Sequence, residues 1–168
     1  KMELNQYASY IHMSRYSRWR EDLGRRELWP ETVQRLIDFY LKRFPQHADL
    51  LTKEIQPAIL NLEVMPSMRS LMTAGEALER ENIAAYNCYY HAINKPRKLS
   101  WTLYILMCGT GVGFSCEAKH VNKLPVVPNE LVRIQDVLVV QDSKEGWARA
   151  YKKLVSSLYD GEIPSFDY

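Results

Sequence analysis

Two stretches of this sequence could carry chemistry: a cysteine among aromatic residues, and a glycine-rich turn. Cys88 lies in AAYNCYYHAI, a segment rich in tyrosine and isoleucine that is typical of a β-strand. By default such a cysteine is a small apolar residue of the core. The functional alternative is a redox thiol, which needs partial exposure and a second cysteine within disulfide reach. The residues alone leave both interpretations open.

The glycines of GTGVG, at 109–113, could be taken for a dinucleotide-binding loop. That fingerprint requires a strand before the glycines and a helix after them, whereas the predicted order here is helix, glycines, strand. The glycines would instead let a ligand, or another segment of the chain, approach bare backbone. Ligand contact and tight packing are equally compatible with the sequence.

Other polar residues give weaker signals. Ser67 is either a turn residue or a hydroxyl that binds phosphate or sugar. His91 and His120 have no catalytic or metal-binding partner at suitable spacing, and the sequence contains no CxxC pair, so we predict no metal site. Cys108 and Cys116 are expected to pack in the core.

Composition limits the classes of function. The 168 residues carry a formal charge of +2, which gives no reason to expect a nucleic-acid or membrane partner. No apolar run reaches the roughly 18 residues that a transmembrane helix needs. Three cysteines are an odd number for a disulfide framework. A reducing, cytoplasmic location therefore fits this composition best.

The elements that must position these residues begin with helices. Mixed three- and four-residue spacings of apolar residues predict a helix over 4–19. Pro30 begins a better-defined helix, which Pro45 ends. A third helical segment begins near His47 and is kinked or divided at Pro57.

The rest of the chain alternates between strands and helices, an order that suggests an α+β arrangement passing into α/β. We predict an irregular connection at 65–75, followed by a strand in which Cys88 shares a face with Tyr86 and Tyr90. A helix at 96–107 and a second strand from Val112 come next, and then a loop at 121–136. The chain continues with a strand at 137–141 that is buried on both faces and with a helix that Asp142 caps and Gly161 ends. Trp147 is expected to open the buried stripe of that last helix.

Four segments in this order resemble the N-terminal part of a ribonucleotide reductase catalytic subunit, closest to the adenosylcobalamin-dependent (class II) branch. They are MPSMRSLMTAG, YNC, LMCGTGVGFS and DSKEGWARAYKKLVSSLYDGEIP. The resemblance implies an α/β fold, in which residues 1–62 form a helical N-terminal region. Residues 63–168 would then be the first strands and helices of the family's ten-stranded barrel.

The resemblance also implies an activity and a site. The family reduces ribonucleotides to 2′-deoxyribonucleotides by thiyl-radical chemistry. The resemblance identifies Cys88, in the first strand, as one member of the redox pair of cysteines that becomes a disulfide. Ser67, Asn87 and Gly111 fall at substrate-binding positions, although Asn87 stands where other branches carry serine.

Further implications concern cofactor and partners. Adenosylcobalamin would be bound mainly by segments outside this chain, and the radical-bearing cysteine belongs to the C-terminal part of the reductase. We therefore expect the chain to be the first part of the enzyme, inactive alone. Expected partners are that C-terminal part, a ribonucleotide, a thioredoxin-like reductant, a deoxynucleotide effector and a dimer contact. Alternatives are a reductase with a separate radical-generating subunit and a non-catalytic nucleotide-binding or interaction module.

Overall fold

Residues 4–168 are described by the structure, a computed structural model, and their contacts define two units. The first unit extends to Tyr86, and the second runs from Asn87 to Tyr168. The division at 62/63 proposed from the sequence follows the family's barrel and stays a prediction. None of the helices between residues 4 and 168 combines the length and the apolar character of a bilayer-spanning segment.

The first unit consists of short helices around one long helix. Its elements are α1 (Gln6–Arg15), β1 (Trp19–Arg20), β2 (Arg25–Arg26), α2 (Trp29–Arg43), α3 (Ala48–Leu50), α4 (Gln56–Leu60), α5 (Met68–Thr73) and α6 (Glu76–Arg80). The 3₁₀ turns Pro45–His47 and Asn82–Ala85 lie before α3 and after α6. This region is helical, as the sequence predicts.

The first predicted helix is wrong in its length, because the chain reverses direction after it. α1 ends at Arg15, and β1 then pairs antiparallel with β2, with Trp19 opposite Arg26. Gly24 supplies the left-handed backbone of this reversal at φ +58°. Apolar spacing continues through Trp19, so the sequence pattern alone could not show where the helix stops.

The long helix α2 carries the core of the first unit. Pro30 occupies its first turn, and the Glu31 carboxylate accepts a hydrogen bond at 2.7 Å from the backbone N–H that precedes the helix. Its apolar face includes three fully buried side chains, Val33, Leu36 and Ile37. Each stabilises the fold by about 1.5–3 kcal/mol relative to an exposed position.

Pro57 does not divide the third helical segment, because the backbone stays helical from Ala48 to Leu60; the kink that the sequence predicts there stays a prediction. A π-helical turn, Leu51–Ile55, precedes α4. Pro57 lies just after that turn, and because proline has no N–H it removes one helical hydrogen bond to the preceding turn. Ile59 then packs in the core of the unit.

The prediction that 65–75 is an irregular connection is wrong. Ser67 caps α5, because its Oγ accepts a hydrogen bond from the Ser70 N–H at 3.2 Å. Leu71 is fully buried in the same core as α2. A helix of six residues is too short to show a period in the sequence.

A buried carboxylate and two arginines tie α5 to the rest of the first unit. Glu27 accepts hydrogen bonds from Arg35 at 2.8 and 2.9 Å and from the Thr32 hydroxyl at 3.0 Å. Arg35 also donates to the carbonyl of Leu71, and Arg18 donates to that of Met72, each at 2.9 Å. Carbonyls at a helix end lack helical partners, so the arginines complete them.

Charge pairing decides the ionisation of this cluster. Burial alone would raise the pKa of Glu27, but hydrogen bonds from Arg35, the Arg18 N–H and Thr32 outweigh burial and hold that pKa below its ordinary value. The carboxylate is therefore ionised and paired. Removing one partner of such a buried pair typically costs about 3–5 kcal/mol, because it leaves the other charge uncompensated.

We expect the first unit to lose stability as the pH falls through the titration of His12. Its Nε2 lies 2.8 Å from the Thr32 hydroxyl. Burial lowers its pKa below 6.5, while Glu27 opposes and Arg35 adds to that shift. A histidine with a lowered folded-state pKa stabilises the fold above pH 6.5, and that contribution is lost as the pH falls below 6.5.

The measurement is the free energy of unfolding in denaturant on both sides of pH 6.5. His12→Gln should show a smaller loss than the unsubstituted protein, because glutamine does not titrate. Equal losses in the two proteins would contradict this account of His12.

The second unit consists of two strand–helix–strand segments. Its elements are β3 (Cys88–Ala92), α7 (Arg97–Met107), β4 (Gly111–Ser115), α8 (Ala118–Val121), β5 (Val132–Val139), α9 (Lys144–Tyr159) and β6 (Glu162–Asp167). β3 pairs with β4 and β5 pairs with β6, both parallel, so a helix crosses between the strands of each pair. The predicted α/β character is confirmed.

The last two strands correct the prediction for the C-terminal third. β5 begins at Val132, inside the predicted loop, and β6 follows α9 where no strand was expected. Val139 is 72% exposed, so the prediction of a strand buried on both faces is wrong. An apolar composition indicates that a strand can be buried on both faces. It does not indicate whether another layer of this chain covers the strand.

The start of α9 differs by one residue from the prediction. Ser143, not Asp142, caps the helix, and its Oγ accepts from the Gly146 N–H at 3.0 Å. A Cβ on Gly146 would lie 2.8 Å from the Cβ of Gln141, so this close approach requires glycine. Gly161, at φ +84°, ends the helix as predicted.

Trp147 does not open a buried stripe, so that prediction is wrong. Its side chain is 44% exposed, whereas Gly146, Val155 and Ser157 are the buried residues of α9. Helical spacing identifies a face but cannot fix which edge of that face is covered.

Replacing Trp147 by alanine should therefore cost less than the about 3–5 kcal/mol of a buried tryptophan. Val155→Ala, in the same helix, should cost about 1–2 kcal/mol, because it leaves a small cavity in a closed site. Urea unfolding of both variants measures these costs. A loss above about 3 kcal/mol for Trp147→Ala would place the indole in the core.

Candidate functional site

The parallel pairing of β3 and β4 brings three predicted site residues together. Cys88 is the register partner of Gly111. The Gly111 N–H donates a hydrogen bond to the Asn87 carbonyl at 2.9 Å. Residues paired across a parallel ladder point to the same face, so the thiol projects from the face on which Gly111 exposes bare backbone.

The turn between α7 and β4 fixes this register. Gly109 has φ +84°, which only glycine adopts without cost. Its N–H donates to the Leu106 carbonyl at 2.8 Å, and the Thr110 N–H donates to the Ile105 carbonyl at 3.2 Å. These two bonds form a Schellman motif, which closes the helix and aims the chain into β4.

The structure bears on the two interpretations of the remaining glycines. A Cβ on Gly111 would lie 3.5 Å from the Asn87 carbonyl oxygen, and one on Gly113 would lie 3.6 Å from Cδ2 of Tyr90. Both are ordinary van der Waals contacts. Both glycines are exposed, so no packing contact within residues 4–168 requires a glycine at either position.

The cysteines differ from their default interpretation. Cys88 and Cys116 are exposed and Cys108 is partly buried, and all three thiols are free. Cys88 is thus accessible, as a redox thiol must be, and the core interpretation of Cys88 and Cys116 is wrong. The Cys108 Sγ lies 3.5 Å from Nζ of Lys144.

Ser67 and Asn87 are both on the surface. Ser67 belongs to the first unit, where its hydroxyl oxygen is engaged as the cap of α5. The exposed Asn87 immediately precedes β3 and offers its side-chain amide to solvent. Their substrate-binding roles stay predictions.

Sequence reasoning missed the anchoring role of His91. It is buried on the other face of β3, and its Nε2 lies 2.9 Å from the Thr102 hydroxyl of α7. Burial lowers its pKa, and nearby Lys98 acts in the same direction, so the ring is neutral at pH 7. The alternation of buried and exposed positions in β3 was the available signal, since it separates His91 from Cys88.

Within residues 4–168 no side-chain cluster suits a metal ion, and four pockets of the two units are smaller than a corrinoid. Between residues 4 and 168 no group of three histidine, cysteine, aspartate or glutamate side chains is arranged to hold a metal ion. Four pockets within the units have volumes of about 300 to 480 Å³. Pockets of this size suit drug-sized ligands, and a corrinoid with its adenosyl group is much larger.

Known proteins match this chain in both sequence and structure. The family model described as "Ribonucleotide reductase alpha domain" matches residues 1–76. The adenosylcobalamin-dependent ribonucleoside-triphosphate reductase of Lactobacillus helveticus (strain DPC 4571) is 30% identical, over 76% of this chain and 21% of that protein. The same-named protein of Lactobacillus leichmannii is 26% identical, over 82% of this chain and 22% of its own length.

A crystal structure of a B12-dependent (class II) ribonucleotide reductase shares the fold. It superposes with a TM-score of 0.80 at 20% sequence identity, and the match covers 94% of this chain and 32% of that one. The helical unit and the two strand–helix–strand segments are thus the fold of that class of reductase. These matches confirm the predicted resemblance to the ribonucleotide reductases, and the chain spans about a fifth of the length of the curated relatives it matches.

The exposure of the thiols predicts their reactivity. Native protein should show two fast-reacting thiols with Ellman's reagent, Cys88 and Cys116, and a slower Cys108. Cys88→Ser should reduce the fast phase by one thiol, and Cys116→Ser is the matched control that should do the same. An unchanged fast phase in Cys88→Ser would show that the thiol is covered.

Proposed function

We propose that this chain supplies one reductant thiol and part of the substrate surface of an adenosylcobalamin-dependent ribonucleoside-triphosphate reductase. The names of its relatives support the activity, the cofactor and the triphosphate level of the substrate. The observation that carries the proposal is the pairing of Cys88 with Gly111, which sets an exposed thiol beside open backbone.

The chemistry requires a dithiol. Replacing the 2′-hydroxyl of a ribonucleotide by hydrogen takes two electrons and two protons, and the oxygen leaves as water. Two thiols that join as a disulfide supply both electrons and both hydrogens. Cys88 is one of these thiols in our proposal, and the second belongs to a part of the reductase outside this chain.

The exposure of the Cys88 thiol also suits the step that regenerates the reductant. A disulfide formed at Cys88 must be reduced before the next turnover, by attack of an external thiolate on one of its sulfurs. The position of Cys88 at the beginning of β3 leaves its sulfur within reach of such a reductant. A thioredoxin-like dithiol is the reductant that we propose.

In the second unit Gly111 and Asn87 lie next to Cys88 and suit a substrate surface, and in the first unit the Ser67 hydroxyl is a separate candidate contact. Gly111 lets the nucleotide lie against the β4 backbone, because no side chain separates them. Asn87 can donate from its side-chain amide and accept on its oxygen, which suits the hydroxyls of a ribose. The Ser67 hydroxyl, which accepts from Ser70 in the cap, still has a proton to donate to a phosphate or sugar oxygen.

Cofactor and partners complete the proposal. Adenosylcobalamin supplies the radical chemistry in reductases of this kind, and it is larger than the four pockets described in the two units. We propose that it is held mainly by the remaining polypeptide of the reductase, which turnover also needs. A cytoplasmic location, a deoxynucleotide effector and a dimer contact belong to the same proposal.

Replacing Cys88 by serine in the reductase should stop multiple turnover. Serine keeps nearly the same volume but cannot form a disulfide, so substrate binding and radical formation should persist while the reducing equivalents are lost. The measurement is deoxynucleotide formed per enzyme with thioredoxin as the reductant.

Cys108→Ser and Cys116→Ser are the matched controls, and both should keep sustained turnover. Sustained turnover in Cys88→Ser would instead return Cys88 to a structural role and overturn the redox assignment.

A further inference from the structure

Tyr90 shares the face of β3 from which the Cys88 thiol projects. Alternation along a strand places residues two apart on the same side, roughly 6 to 7 Å from each other. Its register partner is Gly113, as Gly111 is the partner of Cys88. One face of this strand pair therefore presents a thiol and a phenol beside two glycines.

The ring of Tyr90 has little cover from its own chain. Its Cδ2 lies against Gly113, since a Cβ built there would be 3.6 Å away. The residue is nevertheless 65% exposed. Burying an aromatic ring is strongly favourable, so an exposed ring held over a glycine is available for another contact.

The neighbouring tyrosine shows what a structural role looks like in this strand. Tyr89 projects from the other face and packs edge-on against His91, with ring centroids 5.3 Å apart. It is 37% exposed, about half the exposure of Tyr90. Packing within the second unit thus accounts for Tyr89 but leaves most of the Tyr90 ring unexplained.

We infer that Tyr90 contacts the nucleoside of the substrate, with its ring against the base or sugar while the ribose lies beside Cys88. This inference rests on the proposed function, because it takes a ribonucleotide as the ligand. Aromatic rings bind nucleosides by stacking, which tolerates different bases because every base has a π-face. Tyr90 would therefore add affinity without selecting one base.

The test is nucleotide binding by the reductase that contains this chain, measured by calorimetry with CTP and with ATP. Tyr90→Leu should weaken both about tenfold, the lower end of the loss expected for a stacking ring. Tyr90→Phe keeps the ring and should bind within about twofold of the unsubstituted protein. Tyr89→Leu is the matched control on the other face and should not change the affinity.

The outcomes separate this inference from the redox proposal. Unchanged affinity in Tyr90→Leu, with an unchanged thermal unfolding curve, overturns the inference and leaves the role of Cys88 intact. Equal losses in Tyr89→Leu and Tyr90→Leu overturn it as well, because they indicate a general effect on the strand. If the unsubstituted protein binds neither CTP nor ATP, both the inference and the proposed substrate surface are overturned.

Discussion

The parallel register between β3 and β4 is the constraint on which the candidate site depends. It sets Cys88 opposite Gly111 and Tyr90 opposite Gly113, and contacts of the connecting helix hold it. In the middle of α7 Thr102 contacts His91, and at the C-terminal end the bonds around Gly109 close the helix. Because side chains alternate with a period of two, a slip of one residue would move Cys88 to the opposite face.

In the first unit, electrostatic pairing holds the short helix α5 in place. Its helices are short, and a six-residue helix such as α5 has little stability of its own. The ionised Glu27 orients Arg35, which reaches the carbonyl at the end of α5 with its remaining donors. Arg18 adds a second contact to the same helix end. The segment that carries Ser67 is thus held by buried charge as well as by Leu71 in the core.

Local signals made part of this structure predictable from the sequence. Pro30 and Gly161 act through their own backbone geometry, so their effects on helix boundaries were predicted correctly. The order helix, glycines, strand around Gly109 followed from composition and excluded a dinucleotide fingerprint. The family resemblance then gave Ser67, Asn87 and Gly111 their predicted substrate-binding roles, which no single pattern would have assigned.

The errors share one physical cause: burial depends on what covers a surface. Helical spacing predicted the face of α9 that contains Trp147 but not which edge of that face is covered. Apolar composition predicted a strand within β5 but not how exposed that strand is. The exposure of Cys88 was equally hidden, because either face of β3 could have packed against α7. Helix α5 escaped detection for a different reason, namely that one capping serine and one buried leucine are too few residues for a period.

Differential alkylation after a single turnover tests the central claim, that Cys88 is a reductant thiol, most directly. The reductase would convert ribonucleotide without external reductant, and free thiols would then be alkylated and located by mass spectrometry. Cys88 should be protected in a disulfide in proportion to the deoxynucleotide formed, while Cys108 and Cys116 stay free and become alkylated. Full alkylation of Cys88 after product has formed would contradict the account.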